Sequence, residues 1–254
     1  MISDHVIDDP IYRPGTRFSQ VGADRIAKAV ALLRERRPQS ILDLGFFPGY
    51  VGQALRDAGF SGRLDGFGLL NGHPADEFTP PYDHLFVQEL DPFHGAISSL
   101  DLGRKYDLIL GLEIVEHLID PLPFFRLIAG NLSADGVALV TTPNVSSFGA
   151  ACRLLLGRSN HESFERSVFT WKSDWRAHVR LYDRGELIRF GEMHGLTTVA
   201  HAYFSSVALG YERRKRLGWL LRRLTSAVVP WWREDQWIVY GRSTKAAAGE
   251  HAAP

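Results

Sequence analysis

Ser40-Ile-Leu-Asp-Leu-Gly-Phe-Phe-Pro-Gly49 and, further along, Tyr106-Asp-Leu-Ile-Leu-Gly-Leu-Glu-Ile-Val-Glu-His117 decide how this chain folds. The first stretch holds a short apolar strand, Ile41 to Leu44, that breaks at glycines and opens a helix. In an open α/β sheet this arrangement presents free backbone N–H groups, and the positive end of a helix dipole, at the carboxyl edge of the strand. The second stretch is a nearly all-apolar strand, as a strand buried on both faces must be. It ends in two carboxylates and an imidazole, Glu113, Glu116 and His117, at the edge where such sheets bind ligands.

Outward from these two segments, strand and helix patterns alternate. Strands are expected at Ser40–Leu44, Arg63–Gly68, His84–Glu89, Asp107–Leu112 and Val137–Thr141, with helices over Val51–Ala58 and Leu122–Leu132. Pro121 suits the first turn of the latter, because its missing N–H would be unpaired there anyway. Ser133-Ala-Asp-Gly136 reads as a turn with Gly136 at positive φ. Upstream, Ile26, Val30 and Leu33 recur at helical spacing within Ala23–Arg36. Downstream, Ser146–Leu156 reads as a helix, and so does Asp183–His194, with Asp183 as its N-cap and Gly195 as its stop. Leu196–Phe204 and Gln236–Gly241 read as a closing antiparallel pair. This alternation predicts a mostly parallel sheet with helices on both faces.

Composition sets the bounds. The chain has 254 residues, 45% hydrophobic and 23% charged, which suits a globular enzyme of one large α/β domain. Formal net charge is zero and no Arg/Lys-rich domain face is evident, so a nucleic-acid partner is not expected. The single cysteine, Cys152, rules out an intramolecular disulfide and fits a reducing cytoplasm. The acidic first nine residues carry no apolar run and do not read as a signal peptide. No uncharged apolar stretch is long enough to span a bilayer, and no motif sets an oligomeric state.

The quoted segments, with Thr142-Pro-Asn144, resemble the class I S-adenosylmethionine-dependent methyltransferases over about residues 38–200. The resemblance implies an α/β, Rossmann-like fold with a mostly parallel seven-stranded sheet, helices on both faces and an inserted cap over about 146–182. The methyltransferase domain is then expected over 21–242, after an N-terminal arm at 1–20 and before a disordered tail at 243–254. In this family the first glycine motif follows an acidic residue with Gly-x-Gly-x-Gly. Here Asp43, Gly45 and Gly49 match, while Phe47 stands at the middle glycine and narrows the space expected for the cofactor's methionine moiety. The second strand of the family ends in a carboxylate that binds both ribose hydroxyls. Gly68 stands there, followed by Leu69, and Asn71 offers one substitute acceptor. Asp65 points elsewhere on strand alternation. The missing charge-assisted bonds would cost roughly 1.5–3 kcal/mol each. Glu89 or Asp91 is implied as the acceptor for the adenine amino group, with Glu89 favoured. Leu112 and Glu113 complete the implied cofactor wall.

Glu-Ile-Val-Glu-His resembles the motif of ubiquinone-pathway O-methyltransferases, and that of small-RNA ribose 2′-O-methyltransferases, which add a later histidine. His178 is the candidate for that histidine. Glu113, Glu116, His117 and His178 are therefore the expected ligands of a metal such as Mg²⁺, which would acidify a substrate hydroxyl. Without a metal, His117 or His178 would take that proton beside Glu116, since histidine titrates near neutrality.

Leu154-Leu-Leu-Gly157, His178-Val-Arg-Leu-Tyr182, Glu186-Leu187 and His194-Gly195 resemble a bacterial branch associated with polysaccharide and natural-product methylation. The expected substrate is accordingly a saccharide or small metabolite. Phe164, Phe169, Trp171 and Trp175 form either a sugar-stacking wall or the core of the lid. Residues 211–224 cluster six basic side chains with leucine and tryptophan. They read as an amphipathic helix on the domain or as a peripheral contact with an anionic membrane. Two other functions stay open at this point. Phe47 and Gly68 allow a degenerate binding or scaffold protein, and the carboxylate–imidazole cluster allows a metal-dependent RNA ribose methyltransferase.

Overall fold

Successive residues along the central strands go to two different hydrophobic cores, and this period-two split organises the molecule. The computed structural model describes residues 17–91, 100–160, 178–205, 224 and 228–243. Ile41, Leu108, Leu110, Val137 and Leu139 pack against α1 (Arg17–Arg36) and α2 (Tyr50–Asp57), through Ala29, Leu32, Leu33 and Leu55. Leu42, Leu44, Ile109, Ala138 and Val140 pack on the other face, where α3 (Leu122–Asn131) and α5 (Arg184–Met193) bring Phe124, Phe125, Ile128 and Leu187.

Seven strands form one sheet: β1 (Ser40–Leu44), β2 (Arg63–Gly68), β3 (His84–Val87), β4 (Tyr106–Leu112), β5 (Leu132–Pro143), β6 (Leu196–Phe204) and β7 (Asp235–Arg242). Their order is β3-β2-β1-β4-β5-β7-β6, parallel through β5 and antiparallel at β7 and β6. The winding reverses between β1 and β4, so the crevice at their carboxyl ends is the topological switch point where open sheets take ligands. The β1–α2 loop and the β4 terminus that carries Glu113 both open there. This is the seven-stranded, doubly wound sheet expected from the sequence.

Three local expectations need correction. Ser133–Gly136 is not a free turn but the first part of β5, because Leu132 pairs with Tyr106 across a register shift. Gly136 does not need positive φ. A Cβ there would stand 2.8 Å from the Tyr106 carbonyl, so close backbone approach is what excludes a side chain. Second, α1 begins at Arg17, inside the stretch read as an arm, directly after the breakers Pro14 and Gly15. Third, β3 ends at Val87, short of Glu89. The rest of the arm, the Phe164–Trp175 aromatic run, the basic run up to Arg223 and residues 244–254 of the tail lie outside the described residues. Of the cap, α4 (Phe148–Leu155) forms as a helix with Ser147 as its N-cap. Among the described residues no helix is long and apolar enough to cross a membrane.

Candidate active site

The β1–α2 loop is built on close contacts that leave little freedom at its glycines. Gly45 has φ +75°, and a Cβ on it would fall 2.0 Å from Cδ1 of Ile114, the residue after Glu113. The bare Gly45 Cα thus accommodates Ile114, and Gly45→Arg would disturb the loop itself as well as any ligand above it. Gly68 also has positive φ, +151°, and a Cβ there would sit 3.5 Å from the Gly45 Cα. The space is ordinary but the backbone is not, so a carboxylate at position 68 would be strained. The loops after β1 and β2 therefore meet at their glycines in one cradle at the switch point, with the Ile114 and Phe46 side chains packed against it. Phe47 turns aside from it: its ring lies 5.5 Å from that of His73 and 5.9 Å from Phe78, on the β2–β3 connection.

Asp43, beneath this loop, is fully buried and accepts a hydrogen bond of 2.5 Å from the Tyr82 hydroxyl. The same hydroxyl accepts one from the Gly52 N–H at 3.2 Å, tying Asp43 to the first turn of α2. Burial pushes Asp43 up to about 7, against the lowering effect of the Tyr82 bond. A carboxyl whose folded value is raised stabilises the fold below its unfolded value, and that contribution is lost as pH rises through the folded value. Asp43→Asn, a neutral isostere, is therefore expected to be more stable than wild type above pH ~8, on the order of 2 kcal/mol, with little difference near pH ~4. Urea unfolding at the two pH values measures this; equal gaps at both would mean that Asp43 is ionised throughout.

At the end of β4 the backbone enters the left-handed region at Glu113, φ +58°, unusual for a non-glycine residue. This bend sends the half-buried Glu113 carboxylate towards α1, where Arg25 meets Oε2 at 2.8 Å. Oε1 accepts from the Thr141 hydroxyl at 2.9 Å. Arg25 also reaches Asp235, the first residue of β7, at 3.5 Å. A short 3₁₀ turn, Val115–His117, then carries Glu116 and His117. Glu116 Oε2 accepts from the Thr142 hydroxyl at 3.0 Å. Its Oε1 has no hydrogen-bond partner and lies 3.9 Å from His117 Nε2. Burial pushes Glu113 up to about 8, with Arg25 opposing, and Glu116 to about 7. The two carboxyls also act on each other and titrate as a pair.

His178 arrives from the far side. The N–H groups of Val179 and Arg180 donate to the Glu116 carbonyl at 2.7 and 3.2 Å, docking the segment on the 3₁₀ turn. The His117 and His178 rings end 4.9 Å apart. Glu116, His117 and His178 offer donor atoms all within 4.8 Å of one another. Glu113 stands outside this set, committed to Arg25 and Thr141, so only three of the four expected metal ligands converge. One carboxylate and two imidazoles form a mixed N/O set suited to a borderline ion rather than to Mg²⁺, which prefers oxygen.

Other expected residues occupy the rim. Asp91 is buried and its carboxylate accepts from the Ile119 N–H at 3.1 Å, so it braces the loop after His117. Glu89 is half-buried beyond β3, Leu112 closes β4, and Leu69 is exposed after β2, beside Asn71 at φ +50°. Asp65 is occupied elsewhere: it accepts from Tyr106 Oη at 2.7 Å and pairs with Arg63 and Arg104. Sequence reading missed Arg25 and Asp235, whose roles depend on contacts distant in sequence. Thr142 and Asn144 were visible as a motif. Thr142 holds Glu116, while Asn144 Nδ2 donates to the carbonyls of Trp231 and Arg233, each at 2.8 Å.

This geometry agrees with a family comparison. Residues 17–201 match the family model described as a methyltransferase domain. The chain belongs to that family. It is a class I S-adenosylmethionine-dependent methyltransferase, and the family implies S-adenosylmethionine as its cofactor. The ubiquinone biosynthesis O-methyltransferase of Ruegeria pomeroyi is 28% identical over 113 residues, 40% of this chain and 46% of that protein. The chain thus aligns with about half the length of that relative. Among solved structures, the PH0226 protein of Pyrococcus horikoshii OT3 superposes with a TM-score of 0.56 at 13% identity, covering 96% of this chain and all of that one, 100%. An S-adenosylmethionine-dependent methyltransferase of Clostridium acetobutylicum does so with a TM-score of 0.54 at 13% identity, covering 94% and 97%. At these identities the structural likeness concerns the fold.

Proposed function

We propose that this methyltransferase transfers a methyl group to a hydroxyl oxygen of a saccharide or small metabolite, with His117 receiving the hydroxyl proton. The observation that carries the reading is the Glu116–His117–His178 constellation at the carboxyl edge, beside the glycine cradle. S-adenosylmethionine supplies an already activated methyl group, so the protein has mainly to align the acceptor and take its proton. The cradle of Gly45, Gly49 and Gly68 holds the cofactor, with Glu89 as the acceptor for its adenine amino group. His117 takes the acceptor proton, and the unpaired Glu116 oxygen stabilises the imidazolium that results. His178 closes the site from the cap side. The O-methyltransferase among the relatives supports oxygen as the acceptor.

A second reading follows from the three converging donors. A borderline divalent ion held by Glu116, His117 and His178 would lower the pKa of the acceptor hydroxyl.

Calorimetric titration with S-adenosylmethionine and S-adenosylhomocysteine, followed by methyl transfer to a panel of glycosides and phenols, tests the proposal. Saturable binding of both ligands, and transfer to oxygen that survives EDTA, is expected. No heat with millimolar ligand would instead favour a cofactor-free binding or scaffold protein. Loss of transfer on EDTA treatment would favour the metal reading.

A further inference from the structure

The end of α4 shows water a face that a folded chain normally hides. Leu155 is 87% exposed and Leu156 73%, with Leu154 exposed beside them, while α4 is anchored at its other end by buried Ala150. Phe148, in its first turn, packs on Trp232 with ring centroids 5.3 Å apart. The adjoining segment before β7 exposes Trp231, and Val228 to 82%. Both pieces hang from one edge of the sheet: α4 follows β5, and residues 228–232 lead into β7, antiparallel to β5. That is the carboxyl edge carrying His117.

The polar surroundings are cationic. Arg153 and Arg158, both exposed, bracket the three leucines. Consecutive exposed leucines and a tryptophan, flanked by arginines, have the chemistry of an anionic lipid interface: apolar side chains enter the headgroup boundary and cations meet the phosphates.

We propose that this α4 edge docks on an anionic lipid bilayer. The surface does not depend on the methyl-transfer reading, and its test contains no turnover. The full-length protein is sedimented with vesicles of phosphatidylcholine alone and of phosphatidylcholine mixed equally with phosphatidylglycerol. Binding to the mixed vesicles, weakened by salt, is expected. Leu155→Glu/Leu156→Glu should lower the partition coefficient at least about tenfold. Arg153→Glu/Arg158→Glu, which alters no apolar residue, should lower it several-fold. A wild-type protein that stays in the supernatant with both vesicle types overturns the proposal, as does unchanged binding by the leucine variant. A wild-type dimer that fails to bind vesicles, and that the same substitutions dissociate, would assign the surface to a second copy of the chain.

Discussion

Arg25→Ala is expected to destabilise the fold by about 3 kcal/mol, because it removes the guanidinium that bridges the half-buried Glu113 carboxylate and the buried Asp235 carboxylate. Arg25 lies on α1, while Glu113 ends β4 and Asp235 starts β7, so one guanidinium fastens a helix to two strands that are not neighbours in the sheet. A fork geometry is needed to meet two carboxylates, so Arg25→Lys should recover only part of the loss. Burial already raises Glu113, and Arg25 is the opposing influence. Without Arg25 the carboxyl is expected to hold its proton to still higher pH, and the stability deficit should widen as pH rises through about 8. Glu113→Gln added to Arg25→Ala should return part of the lost stability, by removing the uncompensated acid. Thermal melts at two pH values read all of this. A single Arg25→Ala variant that melts with the wild type would mean the ion pair makes no net contribution.

Arg25 also shows where sequence reading stopped. The limits of β1, β2 and β6 were legible to the residue, as short segments within a regular strand–helix alternation and a closing antiparallel pair. The Glu113–His117 cluster was legible because a strand end places it at the carboxyl edge whatever the rest of the chain does. His178 was legible as a later histidine of the motif, though its route into the site, through Val179 and Arg180 on the Glu116 carbonyl, was not. Arg25 sits on α1 among other charged residues, and nothing local separates it from a solvated arginine. Only the packing of α1 against the sheet turns it inward. Likewise, Glu113 and Glu116 looked equivalent at a spacing of three, until a left-handed backbone at Glu113 sent one carboxylate to Arg25 and left the other beside the imidazoles. Ser133–Gly136 has turn composition, yet it lies inside β5, as the irregularity between the Tyr106–Leu132 and Leu108–Val137 pairs.

His117→Ala is expected to lower kcat/KM by about 10²–10⁴-fold while leaving the affinity for S-adenosylmethionine nearly unchanged. In the proposed arrangement His117 faces the acceptor, whereas the cofactor would lie on the glycines of the β1 and β2 loops, which His117→Ala leaves untouched. Glu116→Gln keeps the Thr142 contact and the size of the side chain but removes the charge that would steady a protonated His117, so it should cost turnover rather than binding. His178→Ala tests the cap side of the pair, whose rings stand 4.9 Å apart. EDTA separates the two readings of these same residues. If His117 acts as the base, EDTA leaves wild-type turnover intact and activity rises with pH through an ionisation that His117→Ala abolishes. If the three donors hold an ion, EDTA silences the wild type and Glu116→Gln loses metal and turnover together. A variant lacking all three side chains that still turns over at the wild-type rate would remove the chemistry from this edge and place the proton acceptor in the cap.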